Sequence, residues 1–193
     1  MVRLTRLVAI MVLIAAVPNA SAAVMVLGSG PEQACYLASK TGVPSRNGVR
    51  ACDEALEQSD LTTRDRAATH VNRSVLLLAS EKPARALADT DMALTMSPGL
   101  EEAIVNRSAA LILLGRFAEA RTILDEALPR TTGRLRISYL FNRALASEAL
   151  GDVKSAYNDL QQSLELDPEF EGARRELARF QVSTHRDGVG SRR

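Results

Sequence analysis

The chain has 193 residues, 46% hydrophobic and 4% aromatic, with 24 Lys and Arg against 23 Asp and Glu. That length suits a single domain. A formal net charge of +1 offers no sequence-independent attraction to nucleic acid or to anionic lipid, so neither is expected as a partner.

Arg3 and Arg6 precede an apolar run from Leu7 to Val17, Pro18 breaks it, and Ala20-Ser21-Ala22 follows. This is the layout of a secretory signal peptide over residues 1–22, with cleavage near Ala22/Ala23. The run falls short of the ~20 residues a membrane-spanning helix needs, although an uncleaved anchor is the alternative. Loss of Arg3 and Arg6 on cleavage takes the net charge from +1 to about −1. The mature chain is expected to be soluble and exported, with no stable membrane insertion.

Residues 23–62 read as a leader and a Cys-bearing helix pair. Val24 to Gly30 is extended, and Pro31 to Lys40 and Gly48 to Gln58 are helical, with Thr41-Gly42-Val43-Pro44 turning the chain between them. A fold-back there lets Cys35 and Cys52 face each other, and in an exported protein two cysteines are usually paired. On the chain-entropy model such a bridge stabilises by roughly 3 kcal/mol. The competing uses fit less well: a metal needs more ligands than lie nearby, and a redox pair is more often C-x-x-C. Thr62 and Asp65 resemble a capping box that starts the next helix.

From here one tripeptide is written three times: Asn72-Arg73-Ser74, Asn106-Arg107-Ser108 and Asn142-Arg143-Ala144, 34 and then 36 residues apart. Small residues recur in step, as Ala86, Ala120 and Ala156, then Ala93, Ala127 and Ser163. A fixed period of this size means stacked units. Helical spacing and Pro and Gly punctuation predict Thr63 to Ser80 and Pro83 to Met96 in the first unit. The second has Leu100 to Leu114 and Phe117 to Leu128, and the third Arg134 to Leu150 and Val153 to Leu166. The units span about residues 67–100, 101–134 and 137–170. Glu169 to Val182 is a closing helix: Leu177 and Phe180 cover unit three, while Glu171, Arg174, Arg175 and Glu176 face water. Residues 183–193 read as a disordered tail. Strand signals are nearly absent after residue 30, so the fold class is all-α.

The small residues Ser74, Ser108 and Ala144, the turn glycines Gly115 and Gly151, the three second-helix alanines, and the endings Leu-Glu-Leu-Asp-Pro (164–168) and Leu-Thr-Met-Ser-Pro (94–98) together resemble the tetratricopeptide repeat (TPR) family. The resemblance covers about residues 63–182 and implies a right-handed α-solenoid of antiparallel helix pairs. The Cys-bearing pair resembles a degenerate extra unit. Two features depart from the family pattern: Thr90, Leu124 and Leu160 stand where Phe or Tyr is usual, and Thr132 stands where a closing Pro is common.

In TPR proteins the first helices line a concave groove. That implies a groove here built from Val71, Asn72, Val75, Val105, Asn106, Ala109, Phe141, Asn142 and Leu145. The asparagines carry both a donor and an acceptor and can bond a peptide backbone of any sequence, while Val71, Val105 and Phe141 offer apolar pockets. The other account of the asparagines is packing: bonds to a neighbouring helix inside the array. Arg73 and Arg143 have Asp89 and Asp159 sixteen residues on, as expected for an ion pair inside each unit. Ile123 stands at the matching place for Arg107, which makes Arg107 the arginine best placed to meet a ligand carboxylate. His70 and His185 have no catalytic or metal-binding neighbours at suitable spacing, and phosphate loops, H-E-x-x-H and G-x-S-x-G are missing.

The expectation is a non-enzymatic periplasmic or secreted adaptor, without cofactor or metal, that binds a protein or peptide partner in its groove. Moderate affinity or weak homo-oligomerisation fits so few units. The alternative is an envelope scaffold or assembly protein that self-associates through convex or end surfaces, its groove idle.

Overall fold

The computed structural model describes residues 2–5, 22–26, 29–58 and 60–184. The apolar run Leu7 to Val17, Ala20-Ser21 of the cleavage motif, His185 and the rest of the tail lie outside them.

The first helix pair is α1 (Pro31–Lys40) and α2 (Arg46–Glu57). Pro31 opens α1 where a missing N–H costs nothing, and Ser45 caps α2 by accepting from the Gly48 amide at 2.9 Å. Cys35 and Cys52 form the disulfide, with an S–S distance of 2.09 Å, buried against Leu76 of the next helix. The two helices approach so closely that a Cβ on Gly48 would stand 2.6 Å from Ala38 Cβ.

Three further pairs follow: α3 (Thr63–Ala79) with α4 (Pro83–Met96), α5 (Glu101–Leu113) with α6 (Phe117–Ala127), and α7 (Gly133–Ala149) with α8 (Val153–Leu166). Thr62 caps α3 through the Asp65 amide at 3.1 Å, and its hydroxyl donates to the Asp65 carboxylate. The turn inside each pair is the same Schellman motif. Lys82, Arg116 and Asp152 donate back to Leu77, Leu111 and Ser147 at 2.8, 2.8 and 2.9 Å. The left-handed residue in that motif is Gly115 (φ 72°) or Gly151 (φ 84°), but Glu81 (φ 55°) in the first unit.

Ala86, Ala120 and Ala156 are all fully buried. Ala86 packs with Leu77 and with Ala110 of the next pair, and Ala120 packs with Leu111 and Ala146. Each small side chain therefore serves two interfaces, within its own pair and across to the next one. Successive first helices touch (α3 with α5, α5 with α7), whereas successive second helices barely meet. The stack therefore curves with its first helices on the inner face, as an α-solenoid does. Tyr139 ties two units together by donating from its hydroxyl to the Glu101 carbonyl at 3.0 Å.

The C-terminal end differs from expectation. The closing helix α9 spans Glu171–Leu177 only. Leu177 and Phe180 pack on the last core cluster, where Phe170 meets the Phe141 ring edge-on at 5.1 Å. Glu176, expected to face water, is half-buried and pairs with Arg179. Beyond the helix, β2 (Gln181–Thr184) pairs antiparallel with β1 (Val2–Thr5), Val2 opposite Thr184. Ser183 and Thr184, expected in the tail, therefore belong to a two-stranded ladder, in which a second strand takes up backbone groups that a longer helix would have satisfied internally.

Candidate binding groove

Asn72, Asn106 and Asn142 occupy equivalent places on α3, α5 and α7, and all three are fully buried. The third residue of the tripeptide explains the repeat. Ser74 Oγ donates to the Val71 carbonyl at 2.6 Å and accepts from Asn106 Nδ2 at 3.1 Å. Ser108 Oγ donates to the Val105 carbonyl at 2.7 Å and accepts from Asn142 Nδ2 at 2.9 Å. Each serine thus fixes the asparagine of the following unit, and the two accounts of the asparagines merge at Asn106.

The chain's own leader lies along this row. Asn72 Oδ1 accepts from the Val24 amide and Nδ2 donates to the Val24 carbonyl, both at 2.8 Å. Asn106 repeats the arrangement two residues earlier, accepting from the Ala22 amide at 2.8 Å and donating to the Ala22 carbonyl at 2.9 Å. Each carboxamide makes the double bond pattern that one strand residue makes with its antiparallel neighbour. Ala22 and Val24 pack against the clusters built on Val105 and Val71. Val26 is 3% exposed and Met25 62%, so the segment alternates inward and outward with the period of an extended chain. Asn142 differs: Nδ2 donates to Ser108 Oγ and to the Val105 carbonyl at 3.3 Å, while its buried Oδ1 has no hydrogen-bond partner among the described residues.

Beside the leader is a cavity of about 550 Å³ that runs from the end of α1 to the start of α9. Ala22, Ala23, Val75, Glu102, Ser138 and Phe170 are among its lining residues. Val71, Val105 and Phe141, expected as open pockets, are instead buried in the clusters between helices. A residue one step before the asparagine thus sits in a seam between helices. Ala109 is buried and Leu145 half-buried, the latter against the Phe141 cluster.

Energetically the leader is held in near balance. Its four hydrogen bonds contribute ~1 kcal/mol each, and burial of Val26 adds roughly 1.5–3 kcal/mol, with half-buried Val24 adding less. Against this, ordering five residues costs ~1–2 kcal/mol each. The two sides cancel to within a few kcal/mol.

The arginines turn away from the groove. Arg73 donates to both Asp89 oxygens at 2.8 and 2.6 Å and to Asp53 at 2.7 Å. Arg143 does the same with Asp159 and Asp125. Arg107, expected to be available to a ligand, donates to Asp91 at 2.7 Å, its partner lying sixteen residues before it instead of after. His70 Nδ1 lies 2.9 Å from Asp89 Oδ1, and since an ionised carboxylate only accepts, the imidazole donates from that nitrogen. Burial pushes the Asp89 carboxyl up, but the hydrogen bonds from Arg73 and His70 outweigh it and hold the group below the usual carboxylate range. Among the described residues no group of three or more His, Cys, Asp or Glu could hold a metal ion, and no helix is long and apolar enough to cross a membrane.

The self-occupied groove was the feature sequence reasoning missed. Its signal was there: Ala22, Val24 and Val26 alternate with period two just before the first helix, matching a row of asparagines at one per repeat.

Two family models match the chain, each described as tetratricopeptide repeat, over residues 77–140 and 137–170. Among curated proteins it is similar to FK506-binding protein-like of Homo sapiens, 32% identical over 96 residues, which covers 48% of this chain and 27% of that protein. The counterpart in Rattus norvegicus is 35% identical over 77 residues, covering 40% of this chain and 22% of the relative. The chain therefore spans about a quarter of the length of the curated relatives it matches. With the repeated turns, notches and asparagine row in place, the stacked helix pairs of residues 77–170 match the tetratricopeptide-repeat models.

Proposed function

We propose that this chain is a non-enzymatic adaptor, exported to the periplasm or beyond, that holds an extended segment of a partner protein in its concave groove. One observation carries the reading: Asn72 and Asn106 each bond both backbone groups of a single residue in an extended segment. Such recognition is indifferent to side-chain identity, which suits a protein-binding surface better than a small-molecule site. The Cys35–Cys52 bridge is consistent with an oxidising compartment, and so is the signal-like composition of residues 1–22.

Exposed Met92, Leu114, Leu150 and Leu166 favour the second reading, a scaffold that self-associates through surfaces outside the groove. A photo-cross-linking residue placed at Glu102, which lines the cavity, or at Met92 separates the two. The adaptor reading expects one partner captured from an envelope extract at Glu102 and none at Met92. Cross-links to a second copy from Met92 alone, with a dimer in light scattering, refute it.

A further inference from the structure

We propose that in the uncleaved chain residues 22–26 are an internal ligand of the groove, and that a partner segment binds by taking their place and copying their chemistry. The inference rests on the adaptor reading and adds to it the occupant, the direction and the side chains required. Direction follows from the pairing: Ala22 sits on Asn106 of α5 and Val24 on Asn72 of α3, so the segment runs N-to-C against the order of the repeats. Register follows too, since one repeat advances the segment by two residues, about 6.7 Å of extended chain. The inward side chains are small and aliphatic, Ala22 and Val24 packing on the clusters that hold Val105 and Val71, while outward Met25 is exposed. A large inward side chain would meet those buried clusters.

Asn142 supplies a second, independent observation. Its Oδ1 is buried and has no hydrogen-bond partner among the described residues, and it stands one repeat beyond Asn106, where the next inward residue of an extended segment would bring an amide. A buried acceptor left unpaired is costly, so the row is built for a segment that spans three rungs. Among the described residues, Val24 and Ala22 fill two of these.

The test uses the full, uncleaved chain and N-acetylated synthetic peptides labelled at the C-terminus, the longer one Ala-Ser-Ala-Ala-Val-Met-Val-Leu-Gly, the sequence of residues 20–28, read by fluorescence anisotropy. Double substitution Ala22→Pro and Val24→Pro removes both amides that the asparagines accept from and touches no repeat residue. An internal occupant that fills the groove nine-tenths of the time weakens apparent affinity about ten-fold. The released variant should therefore bind the peptide about ten-fold tighter than the unchanged chain. A probe shortened to begin at Ala22 should bind the released variant more weakly than the longer one, because it brings no amide to Asn142. Equal binding to both chains overturns the internal ligand while leaving the groove reading intact. No binding to the released variant up to about 1 mM, where the free energy of association is only ~4 kcal/mol, overturns both. So does equal binding of a peptide carrying proline at those two positions, a control that requires no change in the repeats.

Discussion

Asp89 and Asp91 stand two residues apart on α4 and each accepts from an arginine of the repeated tripeptide, yet removing them should have very different consequences. Asp89 is 6% exposed and takes Arg73 through two hydrogen bonds as well as His70 through a third. Its loss leaves Arg73 with Asp53 alone and His70 without its acceptor. Breaking a buried pair in this way costs ~3–5 kcal/mol, because the remaining charge stays desolvated. Asp91 is 51% exposed and accepts one bond from Arg107, a pair in the class worth ~0–1 kcal/mol. For a chain of this size each kcal/mol moves Tm by roughly 2–4 °C. Asp89→Ala should therefore lower Tm by roughly 6–20 °C and Asp91→Ala by at most about 4 °C, as followed by circular dichroism at pH 7.

The pH dependence has a definite sign. The Asp89 carboxyl is held below its ordinary value, so the folded state binds fewer protons there than the unfolded state. Its stabilisation is complete above the unfolded value near 3.9 and fades as pH falls through the folded one. The gap in Tm between the unchanged chain and Asp89→Ala should narrow below about pH 4. A gap that widens below about pH 4, or equal losses from the two substitutions at pH 7, would refute the assignment of burial as the deciding factor.

Two further outcomes follow from the packing and the turns. Replacing Ala86, Ala120 or Ala156 by Leu drives three extra carbons into interfaces that are fully buried, so each substitution should cost ~1–3 kcal/mol in urea denaturation; no loss would argue that these positions are not the points of closest approach. Glu81 pays a left-handed penalty that Gly115 and Gly151 escape, so Glu81→Gly should raise stability by about 0.5–1 kcal/mol while Gly151→Ala lowers it by ~1 kcal/mol; opposite signs in calorimetry would contradict the shared turn geometry.

Much of this protein was fixed by local rules that the sequence states openly. Prolines at first turns, glycines at left-handed positions and alanines at contact points each act through a neighbour at fixed spacing, so helix limits such as Pro83–Met96 and Val153–Leu166 could be read directly. The Cys35–Cys52 bridge was legible for the same reason, since one turn decides whether two helices fold back. What only the tertiary structure decided involves partners that sequence distance does not order. Arg107 found Asp91 behind it and not ahead, because unit two lacks the carboxylate that units one and three carry on the facing helix. Val71 and Val105 went to the seams between units, a consequence of stack curvature that no single helix encodes. The leader's place on Asn72 and Asn106 joins residues 48 and 84 positions apart. Its small margin of free energy depends on a hollow that exists only once three helix pairs have stacked, and so it could not be read from the segment alone.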